Sequence, residues 1–213
     1  MTPPNAGLRD VCRLLGGLAL EGSRVELLRS LREDGTVARL GPEVGDDLAE
    51  ALAGMQRALA EEEPEFLAAE YTRLMVADAE GGPRRPVPVP PWEDCYVGTE
   101  RRVFGPRSRA ALQAYVAAGL GYDGIGQVPA DHVGLELCFV ATLLDEEVRG
   151  ERDEAARAAF VTDHLAAFST ALARAMTDAT RSEFWRQVGR ALTLLPPALA
   201  ETHASGRGVP GLQ

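Results

Sequence analysis

The stretch that decides the fold runs from residue 129 to residue 148 and reads PADHVGLELCFVATLLDEEV. Its apolar residues recur at intervals of three and four positions, which is the period of a helix that buries one face. Pro129 stands just before this run, where a helix can begin. The pattern therefore predicts a strongly apolar helix from Val133 to Val148.

The same spacing extends over most of the 213 residues, whereas the strict alternation of β-strands is nearly absent. We therefore expect an all-α fold, built as a single-domain helical bundle over residues 1–200. A short flexible tail is expected over residues 201–213. Within the bundle, residues 81–91 read GGPRRPVPVPP, which predicts an extended, proline-rich connector.

Helix boundaries are predicted from caps and prolines. Two capping boxes are expected, at residues 23–26 (SRVE) and at residues 180–183 (TRSE), each opening a helix. The second of these helices should stop at Pro196 and Pro197, because proline lacks the amide that a helix interior needs. One long helix is predicted from Asp153 to about Met176.

Composition excludes several classes of function. All 22 basic residues are arginines, so the lysine of a P-loop or of a pyridoxal phosphate site is missing. The 32 acidic residues give a net charge of −10, which repels nucleic acid and favours a cationic partner. No apolar run reaches the roughly 18–20 residues that span a bilayer. We expect a cytoplasmic protein without nucleic acid or membrane insertion.

The segment from Pro90 to Tyr96, PPWEDCY, is the first candidate binding site. It places two aromatic residues, Trp92 and Tyr96, and two carboxylates, Glu93 and Asp94, beside rigid prolines. These aromatics could be a hydrophobic plug on the core. They could also form, with the carboxylates, the lip of a site for a peptide that carries apolar and cationic residues.

His132 and Glu136 lie four residues apart on the predicted apolar helix and therefore share a face. Three interpretations stay open for them: a structural hydrogen-bonded pair, a polar anchor in a binding cleft, or a metal site completed by His164. Asp131 and His132 could also cap the helix. No recognisable nucleophile motif is present, so we expect no catalytic residue, bound cofactor or resident metal.

Taken together, these stretches resemble the TorD/DmsD family of cytoplasmic chaperones for molybdoenzyme maturation. The resemblance begins at residues 70–75 (EYTRLM) and continues through residues 90–96. It is most specific at residues 129–139 (PADHVGLELCF), and residues 160–165 (FVTDHL) complete it. Asp94 stands where the family usually has serine.

The resemblance implies a non-enzymatic, all-helical chaperone that binds the twin-arginine signal peptide of a molybdopterin oxidoreductase subunit, its apo form, or both. Such a chaperone aids cofactor insertion and delays export, as a monomer or a domain-swapped dimer. Family members have been suggested to bind guanine nucleotides weakly. The client-binding residues that we predict are Trp92, Glu93, Tyr96, Asp131, His132 and Glu136.

Two rival functions remain. One is a metal-dependent hydrolase on a helical bundle that uses His132, Glu136 and His164. The other is an assembly chaperone for a reductase subunit that is never exported.

Overall fold

The computed structural model describes residues 5–76, 87–98, 103–122, 125 and 128–205, without the side chains of 43 and 201–205. Its α-helices are α1 Ala6–Glu21, α2 Val25–Asp34, α3 Thr36–Leu40, α4 Asp46–Glu61, α5 Pro64–Met75, α6 Pro106–Ala117, α7 Val133–Val148, α8 Ala155–Phe160, α9 Ala166–Ala179 and α10 Glu183–Ser205. Short 3₁₀ turns cover Gly41–Glu43 and Glu93–Cys95, and a π-helical turn covers Val161–Leu165. The described residues contain isolated β-bridges but no strand, so the predicted all-α class is confirmed.

Helix α7 has the bounds that its apolar spacing predicts, and it packs mainly on α1. Two glycines allow these helices to approach closely. A Cβ atom at Gly16 would lie 2.9 Å from the Sγ atom of Cys138, and one at Gly134 would lie 2.6 Å from Leu20. The α1–α7 contact therefore depends on the missing side chains at the crossing point.

Helix α10 closes the bundle by packing on α4 and α9. Trp185 is fully buried in it and donates its indole N–H to the carbonyl of Leu67 at 2.9 Å. The ring of Tyr71 lies 5.4 Å from that of Trp185, and its hydroxyl donates to the Ala19 carbonyl. These contacts satisfy both polar groups within the core.

Three predicted boundaries were wrong. Helix α10 does not stop at Pro196 and Pro197 but continues to Ser205. Proline has a helix-compatible φ angle. Burial of Leu195 and Leu199 on either side compensates for the backbone hydrogen bonds that the two prolines cannot donate. The predicted helix at 153–176 begins instead at Ala155, ends at Ala179 and contains the π-helical turn.

Neither capping box forms as predicted. Helix α2 begins at Val25 and has no side-chain cap. At α10 the cap is Ser182, not Thr180: the Ser182 hydroxyl accepts from the amide of Trp185 at 3.2 Å. Glu62 replaces the expected glutamate by accepting from the amide of Glu183 at 2.6 Å. The residue that follows α4 thus supplies the second half of the cap.

Only part of the proline-rich connector lies within the described residues. Residues 87–91 adopt neither helix nor strand, and Val89 is fully buried, with its amide bonded to the Leu74 carbonyl at 2.9 Å. Residues 81–86 and 206–213 of the predicted connector and tail lie outside the described residues. No described helix is long and apolar enough to cross a membrane.

Candidate functional site

A cluster of four buried carboxyl side chains lies where the 93–95 turn meets α6, α7 and the π-helical turn. We call this group the acidic hub: Glu93, Asp94, Asp131 and Glu136. Backbone bonds hold its two chain segments together, because the amide of Glu93 donates to the Asp131 carbonyl at 3.0 Å. The amide of Val133 likewise donates to the Pro91 carbonyl at 2.8 Å. The hub therefore joins segments that are far apart in the sequence.

Asp94 and Asp131 serve the backbone. The two oxygens of Asp94 accept from the amides of Arg107 and Ser108 at 3.1 and 3.0 Å, which caps the start of α6. One oxygen of Asp131 accepts from the Asp94 amide at 2.8 Å, whereas its Oδ1 atom is buried without a partner. Burial raises the pKa of Asp131 to about 6, and the charge of Asp94 adds to this rise.

Glu93 binds two partners and is fully buried. Its Oε1 atom accepts from the Arg107 guanidinium at 2.6 Å, and its Oε2 atom lies 2.8 Å from Nδ1 of His164. The Arg107 guanidinium also donates to the carbonyl of Asp163 in the π-helical turn. The ring of His164 stacks on Phe160, with 4.5 Å between centroids. Glu93 thus ties α6 to the π-helical turn.

Glu136 is fully buried, and neither of its carboxyl oxygens has a hydrogen-bond partner. Burial, and then the negative charge of Glu93, raise its pKa well above the usual range. Its nearest cation-forming group is His164, whose Nδ1 atom lies 3.9 Å from Oε1. Burial therefore disfavours the charged form of Glu136.

His132 caps α7: its Nδ1 atom accepts from the amide of Gly134 at 3.1 Å. Burial lowers the pKa of His132 to about 4, so the ring is neutral and Nδ1 is free to accept. The capping alternative that the sequence left open is therefore the one that the geometry shows for His132. Trp92 lies beside it, with 6.3 Å between ring centroids, and the buried indole nitrogen of Trp92 has no partner.

The structure brings all six predicted client-binding residues to the hub or its border, since even Tyr96 directly follows the 93–95 turn and donates its amide to the Glu93 carbonyl at 2.8 Å. Trp92 and Tyr96 are half-buried, whereas Glu93, Asp131, His132 and Glu136 are buried. Tyr96 faces Phe168, with 6.0 Å between their ring centroids. The carboxylates therefore do not form the exposed lip that the sequence suggested, because they are used as caps and ion-pair partners inside the fold.

Sequence reasoning missed two residues of this region. Arg107 follows the proline that starts α6, and nothing in its local sequence indicates a partner 14 residues earlier. Phe104 is 48% exposed and has a φ angle of 61°, which is a strained conformation for a bulky residue. Only the fold shows that this ring is exposed next to the capped N-terminus of α6.

The predicted metal trio is not assembled. Among the described residues, the group close enough to hold a metal ion is Glu93, Glu136 and His164, with ligand atoms within 4.8 Å of one another. His132 is outside this group, and its Nδ1 atom caps α7. Arg107 already neutralises Glu93, so this group does not fit a cation well.

Comparison with known proteins decides the family. Residues 42–174 match the family model described as the nitrate reductase delta subunit. The chain belongs to this family. The match includes every residue of the hub and confirms the resemblance to the TorD/DmsD chaperones of molybdoenzyme maturation. It identifies a redox-enzyme maturation chaperone.

The structure is similar to that of a protein from Archaeoglobus fulgidus assigned to redox enzyme maturation. The two chains share 21% identity with a TM-score of 0.48, over 87% of this chain and 91% of the other. No curated protein matches the sequence.

Proposed function

We propose that this family member binds the twin-arginine signal peptide, the apo form, or both, of a molybdopterin oxidoreductase subunit. It would act in the cytoplasm, aid cofactor insertion and delay export, as a monomer or a domain-swapped dimer. The client-binding region that we propose contains Trp92, Glu93, Tyr96, Asp131, His132 and Glu136.

The observation that carries this proposal is a set of unused polar atoms next to a half-buried aromatic ring. Asp131 Oδ1 and both carboxyl oxygens of Glu136 are buried acceptors without hydrogen-bond partners, and the indole N–H of Trp92 is a buried donor without one. A guanidinium group offers five N–H donors and prefers carboxylate acceptors. Trp92 offers apolar contact area for the hydrophobic part of a signal peptide.

Charge supports the same ligand. The chain carries a net charge of −10, which attracts a cationic peptide, and this attraction weakens with salt because ions screen exposed charges over about 8–10 Å at physiological ionic strength. Because Asp131 and Glu136 are buried, a guanidinium can reach them only if the region opens on binding.

Proton release gives a sharp test of the proposal. The pKa of Asp131 is raised to about 6, and a bound guanidinium would lower it again, so binding at pH 6 should release protons. We would titrate a synthetic twin-arginine signal peptide by calorimetry in buffers with different ionisation enthalpies. The released protons should decrease in the Asp131→Asn variant, which keeps an oxygen for the Asp94 amide.

Affinity is tested on the same set of variants. Asp131→Asn and Trp92→Ala should each weaken peptide binding about tenfold or more while the circular dichroism spectrum stays helical. Asp178→Asn is the matched control, because Asp178 is exposed and pairs only loosely with Arg174 at 3.8 Å. Equal affinity in all variants would place the client elsewhere on the surface. Binding of a reductase subunit without its signal peptide would favour the non-exported client.

A further inference from the structure

A different site, open to solvent, lies in the N-terminal helices, outside the matched residues 42–174. It is a groove of about 730 Å³ between α1, α2 and α3, a volume typical of ligand sites, which span about 300–1,000 Å³. Five leucine side chains, among them Leu14 and Leu31, form its apolar lining. Arg9, Arg13 and Arg39 also line it, with Asp10 as the one acidic lining residue.

The three arginines differ in whether a carboxylate pairs with them. Arg9 and Arg13 share the carboxylates of Asp10 and Asp145. Arg39 is exposed and donates only to the Asp34 carbonyl and, at 2.9 Å, to the hydroxyl of Thr36. The described side chains give Arg39 no carboxylate within ion-pairing distance. The groove therefore offers a positive group beside an apolar surface, on a protein that is strongly acidic as a whole.

Gly17 supplies an independent observation. It lies in the interior of α1 and lines the groove, and a Cβ atom added there would have nothing within 4 Å. A glycine inside a helix costs about 1 kcal/mol relative to alanine. Its neighbour Gly16 is required by the contact with α7, whereas no contact within the described chain requires Gly17. Glycine is typical of places where a ligand approaches the backbone closely.

We infer that this groove binds an acidic amphipathic helix of the client subunit, with its leucine-type side chains on the apolar lining and a carboxylate on Arg39. This inference rests on the proposed function for the identity of the partner. A cationic signal peptide fits the groove poorly, because the charge left without an ion pair there is the Arg39 guanidinium, while Asp10 and Asp145 already pair with Arg9 and Arg13. The chaperone would thus hold its client at two sites, the hub region for a cationic segment and the groove for an acidic segment.

The test uses a defined probe, a fluorescein-labelled helical peptide with leucines at positions i, i+3, i+4 and i+7 and glutamates beside them. A matched peptide replaces each glutamate with lysine. We expect the acidic peptide to bind the full-length protein at least tenfold more tightly by fluorescence anisotropy. Gly17→Phe, which fills open space, should weaken this binding tenfold or more, and Arg39→Glu should remove the preference for the acidic peptide.

Arg57→Glu is the matched control, since it makes the same charge change on an exposed face of α4. The twin-arginine peptide should bind Gly17→Phe as it binds wild type, so loss of one activity is distinguishable from loss of the other. Equal binding of both probe peptides, or no effect of Gly17→Phe, would overturn the inference. The inference would also be overturned if dodecanoate alone displaced the probe. The same holds if the protein formed a dimer that Gly17→Phe dissociates in sedimentation experiments.

Discussion

The acidic hub and the arginine-lined groove use charge in opposite ways. In the hub, carboxyl groups are buried, and five of their eight oxygens accept from backbone amides or bind Arg107 and His164. In the groove, guanidinium groups lie at an open surface beside leucines, and no described carboxylate is within ion-pairing distance of Arg39. Burial makes a charge part of the scaffold, because leaving it unpaired inside the protein is costly. An open charge stays free for a partner.

The largest expected effect is a loss of stability when the acidic hub is changed. Glu93→Ala leaves Arg107 and His164 without their shared acceptor, and breaking a buried ion pair costs about 3–5 kcal/mol of unfolding free energy. Urea denaturation measures this loss. Glu65→Ala removes an exposed ion pair with Arg29 and should cost no more than about 1 kcal/mol. Equal small losses in both variants would mean that the hub does not hold the fold together.

The next effect concerns pH, because Asp131 of the hub and its neighbour His132 have pKa values shifted in opposite directions. His132, with its pKa lowered to about 4, binds a proton in the unfolded chain first, so its contribution is lost as pH falls from about 6.5 to 4. Asp131, with its pKa raised to about 6, binds a proton in the folded state first. Its contribution is therefore gained over nearly the same range.

Each shift corresponds to roughly 3 kcal/mol, so the two contributions oppose each other in the wild type between pH 6 and pH 4. His132→Asn keeps a good cap and should become more stable on acidification relative to wild type. Asp131→Asn should become less stable relative to wild type over the same range. Denaturation curves at pH 4, 5 and 6 test this, and parallel profiles for all three proteins would contradict it.

The smallest effect separates adjacent glycines at the groove end of the molecule. Gly16→Ala forces a Cβ atom to 2.9 Å from Cys138 Sγ and should cost about 1–3 kcal/mol, as overpacking does. Gly17→Ala meets nothing and should stabilise α1 by up to about 1 kcal/mol. Thermal unfolding of the two variants compares them directly. A loss of stability in Gly17→Ala would mean that the chain itself requires this glycine.

Local pattern was enough for helix α7. The bounds of α7 follow from spacing alone, because apolar residues spaced by three and four positions lie on one face only in a helix. Where the prediction of a helix end failed, a residue distant in the sequence had contacted that end. Glu62 caps α10 in place of the expected glutamate, and packing of Leu199 extends α10 past two prolines that would end an isolated helix.

The sequence by itself determined the helical class, the charge balance and the pair of segments, 90–96 and 129–139, that form the hub. Only the tertiary structure decided that these carboxylates are buried and that Arg107 neutralises Glu93. Only the fold, likewise, opens a groove above Gly17. Periodicity and composition are local properties that a chain carries with it. Burial and ion pairing depend on which segments meet, and these meetings are set by the packing of the whole bundle.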